Sequence, residues 1–424
     1  MPTFQPVRGM RDQLGEEAQI LSSIIAKARE DAIFYGYKEA ITPVVEPLEL
    51  LSAKSGEEIR QRMFIFKDKG DRSVALRPEF TASIARLATT ALKNEPKPLR
   101  LFSVGSVYRY DEPQRGRYRE FWQSNFELLG SSKPEADAEI VLLTNSFMKS
   151  LDLQSYAFKV GHIGVIRGIL SQENVEEKTQ NAILQRMDKK EYEEAFKLAP
   201  TPKCCRMLKG LLQLKSDKCF ETVEKIKSYV ADYEMAKAAA ENLYEVLKLL
   251  VESGCPVQVV EPAFARGLEY YTGMIFEVYI PQLDIALGGG GRYDKLIELF
   301  GGEPTPAVGC AHGLDRIALA MQTQKTPLNI KRSKRVLVLS VNDALKGKAL
   351  KIAEMLRQDG VSVEFEVMGR KMAKALEDAD KRSFDYAVIV GEREQQEEAV
   401  MLRNLSKREQ AVIPIKELVQ KIFD

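Results

Sequence analysis

Two strand-like segments joined by a basic loop, at residues 100–130, constrain the fold of this chain more than any other feature. They read RLFSVGSVYRYDEPQRGRYREFWQSNFELLG. Because side chains alternate along a strand, Trp122, Phe126 and Leu128 share one face of the second segment. The other face carries Phe121, Gln123, Asn125 and Glu127. A carboxylate among apolar neighbours needs a partner or a ligand, so this pattern predicts a central strand that lines a polar pocket.

The loop between the two segments indicates what such a pocket binds. Arg115, Arg117 and Arg119 surround Gly116, and Arg109 precedes them on the first strand. Guanidinium groups beside a polar pocket favour a polyanionic ligand such as a nucleotide or a nucleic acid.

Composition narrows the class of protein. The 424 residues, of which 45% are apolar and 29% charged, predict two or three domains with a soluble surface. A net charge of +1 means that nucleic-acid binding would depend on local basic patches. No segment predicts a membrane span or a signal peptide. The five cysteines contain no C-x-x-C pair and there are only two histidines, which favours reduced thiols over a zinc site and predicts a cytoplasmic protein.

Changes of pattern divide the chain into four segments. Helix and strand patterns alternate over residues 1–165, beginning with an amphipathic helix at about 16–34. Residues 166–253 are rich in Lys and Glu and predict a helical insertion, after which strand signals resume over 254–328. Residues 334–424 follow a basic linker and predict a separate α/β domain, without the glycine motifs of a Rossmann or P-loop nucleotide site.

Three further clusters carry residues suited to chemistry. They are LRPEFTA around Glu79, ARGLEYYTG around Arg266, and GGGGRYD through GLDRIAL around Arg316. Taken alone, these clusters and the two-strand segment also fit structural roles. Arg109 suits a strand edge, the four glycines suit a flexible turn and the paired tyrosines suit a core.

Together and in this order, the motifs resemble those of class II aminoacyl-tRNA synthetases, and among them the histidyl-tRNA synthetase family. The first helix with the strand around Pro43 is similar to the family's dimer-forming motif. RLFSVGSVYRYDEPQRGRYREFWQ is similar to its second motif and PAVGCAHGLDRIALAM to its third. ARGLEYYTG is similar to a segment peculiar to the histidine enzymes, and the domain after Arg335 resembles the anticodon-binding domain that several relatives share.

The resemblance implies a fold and a reaction. The fold is an α+β catalytic domain on a mixed, mostly antiparallel sheet, with a helical insertion and a C-terminal α/β anticodon-binding domain. The reaction activates L-histidine with ATP to histidyl-adenylate and pyrophosphate and then transfers histidine to the 3′ end of tRNA(His). The resemblance also implies a homodimer, with Mg²⁺ accompanying ATP and no tightly bound protein-ligated metal.

The resemblance also implies residue roles on the ATP side of the site. Arg109 and Arg266 would hold the α-phosphate and Arg316 the γ-phosphate, so these three are the expected catalytic residues. Phe121 and Arg316 would enclose the adenine, beside Asp111. Arg117 would lie close to the reacting carboxylate and phosphate.

On the amino-acid side, Glu79 and Thr81 would take the amino group and Gln123 would lie near the carboxylate. Glu127 and Tyr271 would bind the imidazole, with Tyr270 beside them. Two residues of the basic loop, Gln114 and Arg115, would meet the acceptor end of the tRNA.

Three positions depart from the family pattern. Asp111 stands where the second motif usually carries glutamate, Glu112 where many relatives have an arginine, and Glu269 where aspartate is more usual. Two other functions remain open: a non-catalytic histidine-binding paralogue that regulates histidine biosynthesis, and a tRNA-sensing module of a stress kinase. The retained arginines and the C-terminal domain favour the enzyme over the first, and the lack of a kinase segment in this sequence disfavours the second.

Overall fold

The computed structural model divides into two compact units, Met1–Leu328 and Asn329–Asp424. The structure describes residues 4–53, 60–214, 218–255, 257–264, 270–283, 285–326 and 334–423.

A mixed sheet organises the first unit. Its strands in the described residues are β1 (Lys38–Glu39), β5 (Leu99–Tyr108), β6 (Glu120–Leu129), β7 (Ala157–His162), β8 (Val257–Val260), β9 (Met274–Tyr279), β10 (Ala286–Arg292) and β11 (Ala307–Gly313). Their spatial order is β1-β5-β6-β11-β10-β9-β7-β8. The outermost pairs β1–β5 and β7–β8 are parallel and the pairs between them antiparallel. The predicted mixed, mostly antiparallel sheet is therefore confirmed, with β6 near its centre.

A smaller antiparallel sheet lies in the same unit. Its order is β2-β4-β3. The strands are β2 (Val45–Pro47), β3 (Ile65–Lys67) and β4 (Ser73–Leu76). The hairpin β3–β4 holds the chain just before Glu79, so it positions one edge of the site described below.

The helices around the two sheets are α1 (Glu16–Phe34), α2 (Leu48–Ser52), α3 (Thr81–Thr89), α4 (Pro134–Ser150), α11 (Leu296–Leu299) and α12 (Leu314–Gln324). Of these, α1, α3, α4 and α12 contact the large sheet, whereas α2 contacts the small sheet and α11 contacts α3. In α1 the residues Ile20, Ile24 and Ala28 are buried, as expected for apolar residues spaced one turn apart.

Between β7 and β8 every described element is helical. The helices are α5 (Ile163–Gln172), α6 (Glu177–Asp188), α7 (Tyr192–Lys197), α8 (Pro202–Gln213), α9 (Cys219–Tyr229) and α10 (Glu234–Glu252). Pro202 begins α8 because a missing N–H costs nothing in the first turn, and the Thr201 hydroxyl accepts the Cys204 N–H to cap it. The domain boundaries at 166 and 253 stay predictions.

The four consecutive glycines form β10 rather than a break in the pattern, so the turn-like interpretation of this segment was wrong. A Cβ on Gly290 would overlap the Gly309 carbonyl on β11. Glycine here therefore allows close approach between strands.

The second unit is a five-stranded sheet with helices, in the order β13-β12-β14-β15-β16. The strands are β12 (Arg335–Ser340), β13 (Ser362–Phe365), β14 (Tyr386–Val390), β15 (Ala399–Asn404) and β16 (Glu409–Pro414). The helices are α13 (Lys346–Gln358), α14 (Met372–Lys381), α15 (Glu392–Gln396) and α16 (Leu418–Phe423). The three parallel strands agree with the predicted α/β domain, whereas the antiparallel strands β15 and β16 were not anticipated.

Within the described ranges, no helix combines the length and the apolar character that crossing a bilayer requires.

Candidate active site

A cavity of about 290 Å³ is lined by β6, β10 and β11 and by the chain around residues 78–81, 109–118 and 270–271. It collects most of the residues that the sequence analysis assigned to a site. From β6 these are Phe121, Gln123 and Glu127, joined by Asn125. The predicted polar face of this strand thus faces a cavity.

Glu127 lies deep in this cavity, with 1% of the residue exposed. The Asn125 Nδ2 donates to Glu127 Oε1 at 2.7 Å, because residues two apart on a strand share a face. On the adjacent strand β11, Gly309 pairs with Glu127. A Cβ at Gly309 would overlap Glu127 Oε2, so glycine is required there for this carboxylate position.

Gln123 completes the polar row on β6. It is 7% exposed, and its Oε1 has no hydrogen-bond partner among the described residues. A buried amide oxygen without a partner is costly, which favours a ligand donor at this point.

Glu79 and Thr81 meet at the start of α3. The Glu79 carboxylate accepts the backbone N–H of Thr81 at 2.8 Å and that of Ala82 at 3.2 Å. An acidic side chain at a helix N-terminus is stabilised by these donors and by the helix dipole. The contacts fix the Glu79 side chain at the wall of the cavity, where it can also meet a cationic group.

Three tyrosines form another wall. The rings of Tyr270 and Tyr271 lie 4.9 Å apart, and Tyr293 meets Tyr270 edge-on at 5.6 Å. Burial, followed by the neighbouring Tyr271 and the charges of Glu79 and Glu127, raises the pKa of Tyr270 well above its usual range. Tyr270 therefore keeps its hydroxyl proton at neutral pH and can donate a hydrogen bond.

Arg109 and Phe121 lie side by side at the end of the β5–β6 pair. The Arg109 Nε donates to the Pro78 carbonyl at 3.0 Å, and its guanidinium carbon is 5.3 Å from the Phe121 ring centre. Burial, followed by the positive charge of Arg62, lowers the pKa of Arg109. Arginine remains charged despite such a shift, so a buried cation faces the cavity.

Arg316 connects three parts of the site from the first turn of α12. Its Nη1 donates to the Ala286 carbonyl on β10 at 3.0 Å, and its Nε to the Gly116 carbonyl of the basic loop at 3.3 Å. These bonds hold the Arg316 side chain, which lines the cavity.

The basic loop forms a tight turn beside the cavity. Gln114 and Arg117 exchange backbone hydrogen bonds of 3.0 and 2.8 Å, which leaves Arg115 and Gly116 at the tip. Arg117 lines the cavity, whereas Gln114 and Arg115 are exposed and do not. Arg266 and Glu269 lie outside the described residues.

Several cavity residues were missed by the sequence analysis. Arg62 reaches the wall from the segment before β3 and pairs with Asp111 through two contacts of 2.5 Å. Tyr293 is 2% exposed, and its hydroxyl has no partner in the part of the chain that the structure describes. Tyr293 lies two residues after the glycine run and was a recognisable candidate, but nothing in the sequence pairs Arg62 with Asp111.

The N-terminal segment was also not anticipated near the site. Arg11 forms an ion pair with Asp315 in the first turn of α12, and its guanidinium lies 3.8 Å from the Tyr118 ring centre. Asp315 in turn accepts the Trp122 N–H at 2.7 Å. The segment therefore joins the loop, β6 and α12.

The opposite face of β6 and β11 holds a second buried polar cluster. His312 is fully buried, with Nδ1 3.1 Å from the Ser124 hydroxyl and Nε2 3.0 Å from the Thr144 hydroxyl. The rings of Phe126 and Phe147 pack around it. Burial lowers the pKa of His312 to about 3, so the imidazole is neutral at physiological pH.

The antiparallel sheet, the helical region and the cavity with its arginines agree with the class II aminoacyl-tRNA synthetase fold expected from the sequence. Comparisons with known proteins identify the family. The family model described as "Histidyl-tRNA synthetase" matches residues 9–317, and one described as "Anticodon binding domain" matches residues 335–424.

Individual relatives agree with these matches. A histidine–tRNA ligase of Methanocaldococcus jannaschii is 40% identical over 98% of both chains. The apo histidyl-tRNA synthetase structure from S. aureus superposes with a TM-score of 0.78 at 24% identity, covering 100% of both chains. A Bacillus halodurans structure described as an ATP phosphoribosyltransferase regulatory subunit/histidyl-tRNA synthetase has a TM-score of 0.78 at 25% identity, covering 92% of this chain and 98% of its own. The chain belongs to the histidyl-tRNA synthetase family.

Proposed function

We propose that this protein activates L-histidine with ATP, releasing pyrophosphate, and then transfers histidine to the 3′ end of tRNA(His). The observation that carries the proposal is one cavity that joins two chemistries. Glu127, Gln123 and the tyrosines provide hydrogen bonds for a small polar amino acid. Arg109 and Arg316 line the same cavity and would provide charge for a triphosphate.

The activation step needs positioning and positive charge more than proton transfer. The histidine carboxylate is already an anion, and it attacks the α-phosphate while pyrophosphate leaves. Arg109 would stabilise the charge on the α-phosphate, with Arg266 assigned opposite it by family resemblance, and Arg316 would bind the γ-phosphate. Phe121 and Arg316 would enclose the adenine. Arg117 would lie beside the reacting groups.

Histidine selection follows from the two nitrogens of the imidazole. When neutral, the ring has one donor and one acceptor. The Glu127 carboxylate can accept from the donor nitrogen, and the Tyr271 hydroxyl can donate to the other, with Tyr270 alongside. Any other side chain would leave these buried groups unpaired, which gives discrimination on the order of 10⁴ without an editing site.

The other end of histidine would be held by the first turn of α3 and by β6. Glu79 would take the ammonium group with Thr81. The Nε2 of Gln123 would donate to the carboxylate end, while its buried Oε1, which has no partner among the described residues, could accept from a donor group of the ligand.

In the transfer step a hydroxyl of the terminal tRNA adenosine attacks the adenylate. The exposed tip of the basic loop, with Gln114 and Arg115, would meet the acceptor end, and the second unit would bind the anticodon. Arginine side chains suit phosphate contacts of this kind.

Mg²⁺ would accompany ATP without a protein-built site. Magnesium keeps several waters and binds phosphate oxygens readily, so the triphosphate can supply most of its ligands. When bound, the ion neutralises charge on the leaving pyrophosphate.

A homodimer is also part of the proposal. Apolar side chains are exposed at the end of α1 and just beyond it: Ile33 is 72%, Phe34 74% and Ile41 90% exposed. Exposed apolar side chains of this kind suit a subunit interface, and they lie in the segments that resemble the family's dimer-forming motif. A cytoplasmic location is proposed from the relation to tRNA ligases.

Aminoacylation tests this function directly. The protein, ATP, labelled histidine and tRNA(His) should yield histidine attached to the tRNA, and Arg109→Ala should abolish the product. A protein that binds histidine with micromolar affinity but neither activates nor transfers it would be the regulatory paralogue instead.

A further inference from the structure

Arg62 and Asp111 form a two-point ion pair in the wall of the cavity. The Arg62 Nε lies 2.5 Å from Asp111 Oδ1, and its Nη2 lies 2.5 Å from Oδ2. The Asp111 side chain is 10% exposed and that of Arg62 35%. Both residues line the cavity. Bidentate pairs fix the plane of the guanidinium, so the direction of Arg62 is set by Asp111.

The backbone holds Arg62 in place as well. The Tyr110 N–H donates to the Arg62 carbonyl at 2.7 Å, and the Phe64 ring meets the Tyr110 ring edge-on at 5.2 Å. The segment before β3 is thereby attached to the chain that leaves β5. A long side chain anchored at both ends loses little entropy when it binds a ligand.

The charges near this pair favour an anionic ligand. Arg109 is close enough for the charge of Arg62 to contribute to the lowering of its pKa, after burial. Burial alone would raise the pKa of Asp111, but the hydrogen bonds and charge of Arg62, with the charges of Arg109 and Arg117, lower it, so the carboxylate remains ionised. The carboxylate of Asp111 and the guanidinium groups of Arg62 and Arg109 therefore line the same cavity. A polyphosphate would relieve the remaining repulsion.

We propose that Arg62 binds the triphosphate of ATP and that Asp111 is a positioning residue that orients Arg62, instead of contacting the adenine base. The proposal rests on the ATP-dependent function above. It explains how aspartate can stand at a position where a longer carboxylate is usual: the shorter side chain reaches Arg62 with both oxygens.

Histidine-dependent ATP–pyrophosphate exchange measures the effect on each substrate separately. Arg62→Ala should raise the KM for ATP about tenfold, as expected for one charge-assisted hydrogen bond, and leave the KM for histidine within about twofold. Arg72→Ala is the matched control, since Arg72 lies in the nearby turn between β3 and β4, pairs with Asp68 and does not line the cavity. An unchanged KM for ATP in Arg62→Ala, or an equal rise for both substrates, would overturn the proposal.

Asp111→Asn separates orientation of Arg62 from contact with the base. If Asp111 acts through Arg62, the double variant with Arg62→Ala should use ATP no worse than Arg62→Ala alone. Asp111→Asn should also reduce the use of ATP and of purine riboside triphosphate, which lacks the 6-amino group, by the same factor. Additive losses, or a loss confined to ATP, would assign Asp111 to the base and contradict the proposal.

Direct binding distinguishes failure of this proposal from failure of the proposed function. Calorimetry of the full chain with Mg–ATP and with adenosine requires no turnover. Arg62→Ala should weaken Mg–ATP binding about tenfold and leave adenosine binding unchanged. If Arg62→Ala weakened the binding of Mg–ATP and of adenosine equally, Arg62 would not be a phosphate-binding residue. This conclusion would hold even if the wild-type protein were inactive in exchange.

Discussion

The two faces of the β6–β11 pair bury polar groups of similar number but opposite character. On one face His312 has a hydroxyl partner for each ring nitrogen, from Ser124 and Thr144. On the other face Glu127 and Gln123 border a cavity of about 290 Å³. Both faces are almost inaccessible to solvent, so burial alone does not distinguish them.

The location of the hydrogen-bond partners distinguishes a ligand-binding site from a structural polar cluster. The His312 cluster satisfies its hydrogen-bonding capacity within the protein, and a polar network of this type stabilises one arrangement of the core. The Glu127 face directs its groups toward space that a polar ligand can fill. Changes on the two faces should therefore have different effects: on catalysis for the cavity face and on stability for the other.

The largest effect is expected for Glu127→Ala. Removing a charged acceptor from the imidazole site should lower kcat/KM for histidine about 100-fold or more, while the KM for ATP stays within a few-fold. Pyrophosphate exchange at varied histidine and ATP measures both. Glu120→Ala is the control on the same strand, because Glu120 bonds Tyr108 and lies outside the cavity lining. Normal histidine activation by Glu127→Ala would contradict the assignment of the specificity face.

A smaller loss is expected for Gly309→Ala, which tests the same face by adding a methyl group beside Glu127. The added methyl would overlap Glu127 Oε2, so the carboxylate must move. Histidine use should fall about tenfold, with ATP binding little affected. Gly347→Ala in α13 is the control, since its Cβ would meet nothing within 4 Å. Unchanged kinetics would show that Glu127 adopts a different position.

Arg11→Ala should weaken the connection between the loop and α12. Loss of the ion pair to Asp315 and of the contact with Tyr118 should lower the rate of adenylate formation about fivefold, since Arg316 follows Asp315 directly. Single-turnover kinetics would show the change. Arg8→Ala removes an exposed ion pair with Glu112 and should leave the rate unchanged. Equal rates in the two variants would exclude a role for Arg11 in the site.

The smallest effect on activity is expected on the opposite face, for His312→Gln, with exchange kinetics within about twofold of wild type. Stability should respond instead. Burial lowers the pKa of His312 to about 3 in the folded protein, whereas the pKa in the unfolded chain is near 6.5. Below pH 6.5 the unfolded chain therefore binds more protons, and the free energy of unfolding decreases as the pH decreases.

Between pH 6.5 and pH 5 this histidine should cost about 2 kcal/mol of the free energy of unfolding. Urea unfolding followed by the fluorescence of Trp122, the single tryptophan, reports on this unit. The variant should lose less stability over that interval than the wild-type protein. Identical pH dependence would show that His312 does not titrate as its burial requires.

Local patterns were sufficient to predict some of this organisation. Strand alternation placed Gln123, Asn125 and Glu127 on one face, because the rule depends only on neighbouring residues. Helical periodicity predicted α1 with the ends that the structure shows. The roles of residues in the site came from resemblance to a family.

Features that depend on distant contacts were not predictable. The glycine run looked like a break because glycine disfavours isolated strands, whereas neighbouring strands select it for close approach. Arg62 pairs with Asp111, and Arg11 pairs with Asp315, although the partners in each pair are far apart in the sequence. Neither pairing leaves a periodic signal in the sequence.

Pyrophosphate exchange with each of the twenty amino acids in turn tests the central claim most directly. With ATP saturating, exchange should depend on histidine, with any other amino acid on the order of 10⁴-fold less effective in kcat/KM. Exchange that depends on another amino acid, or no exchange with histidine, would contradict the account.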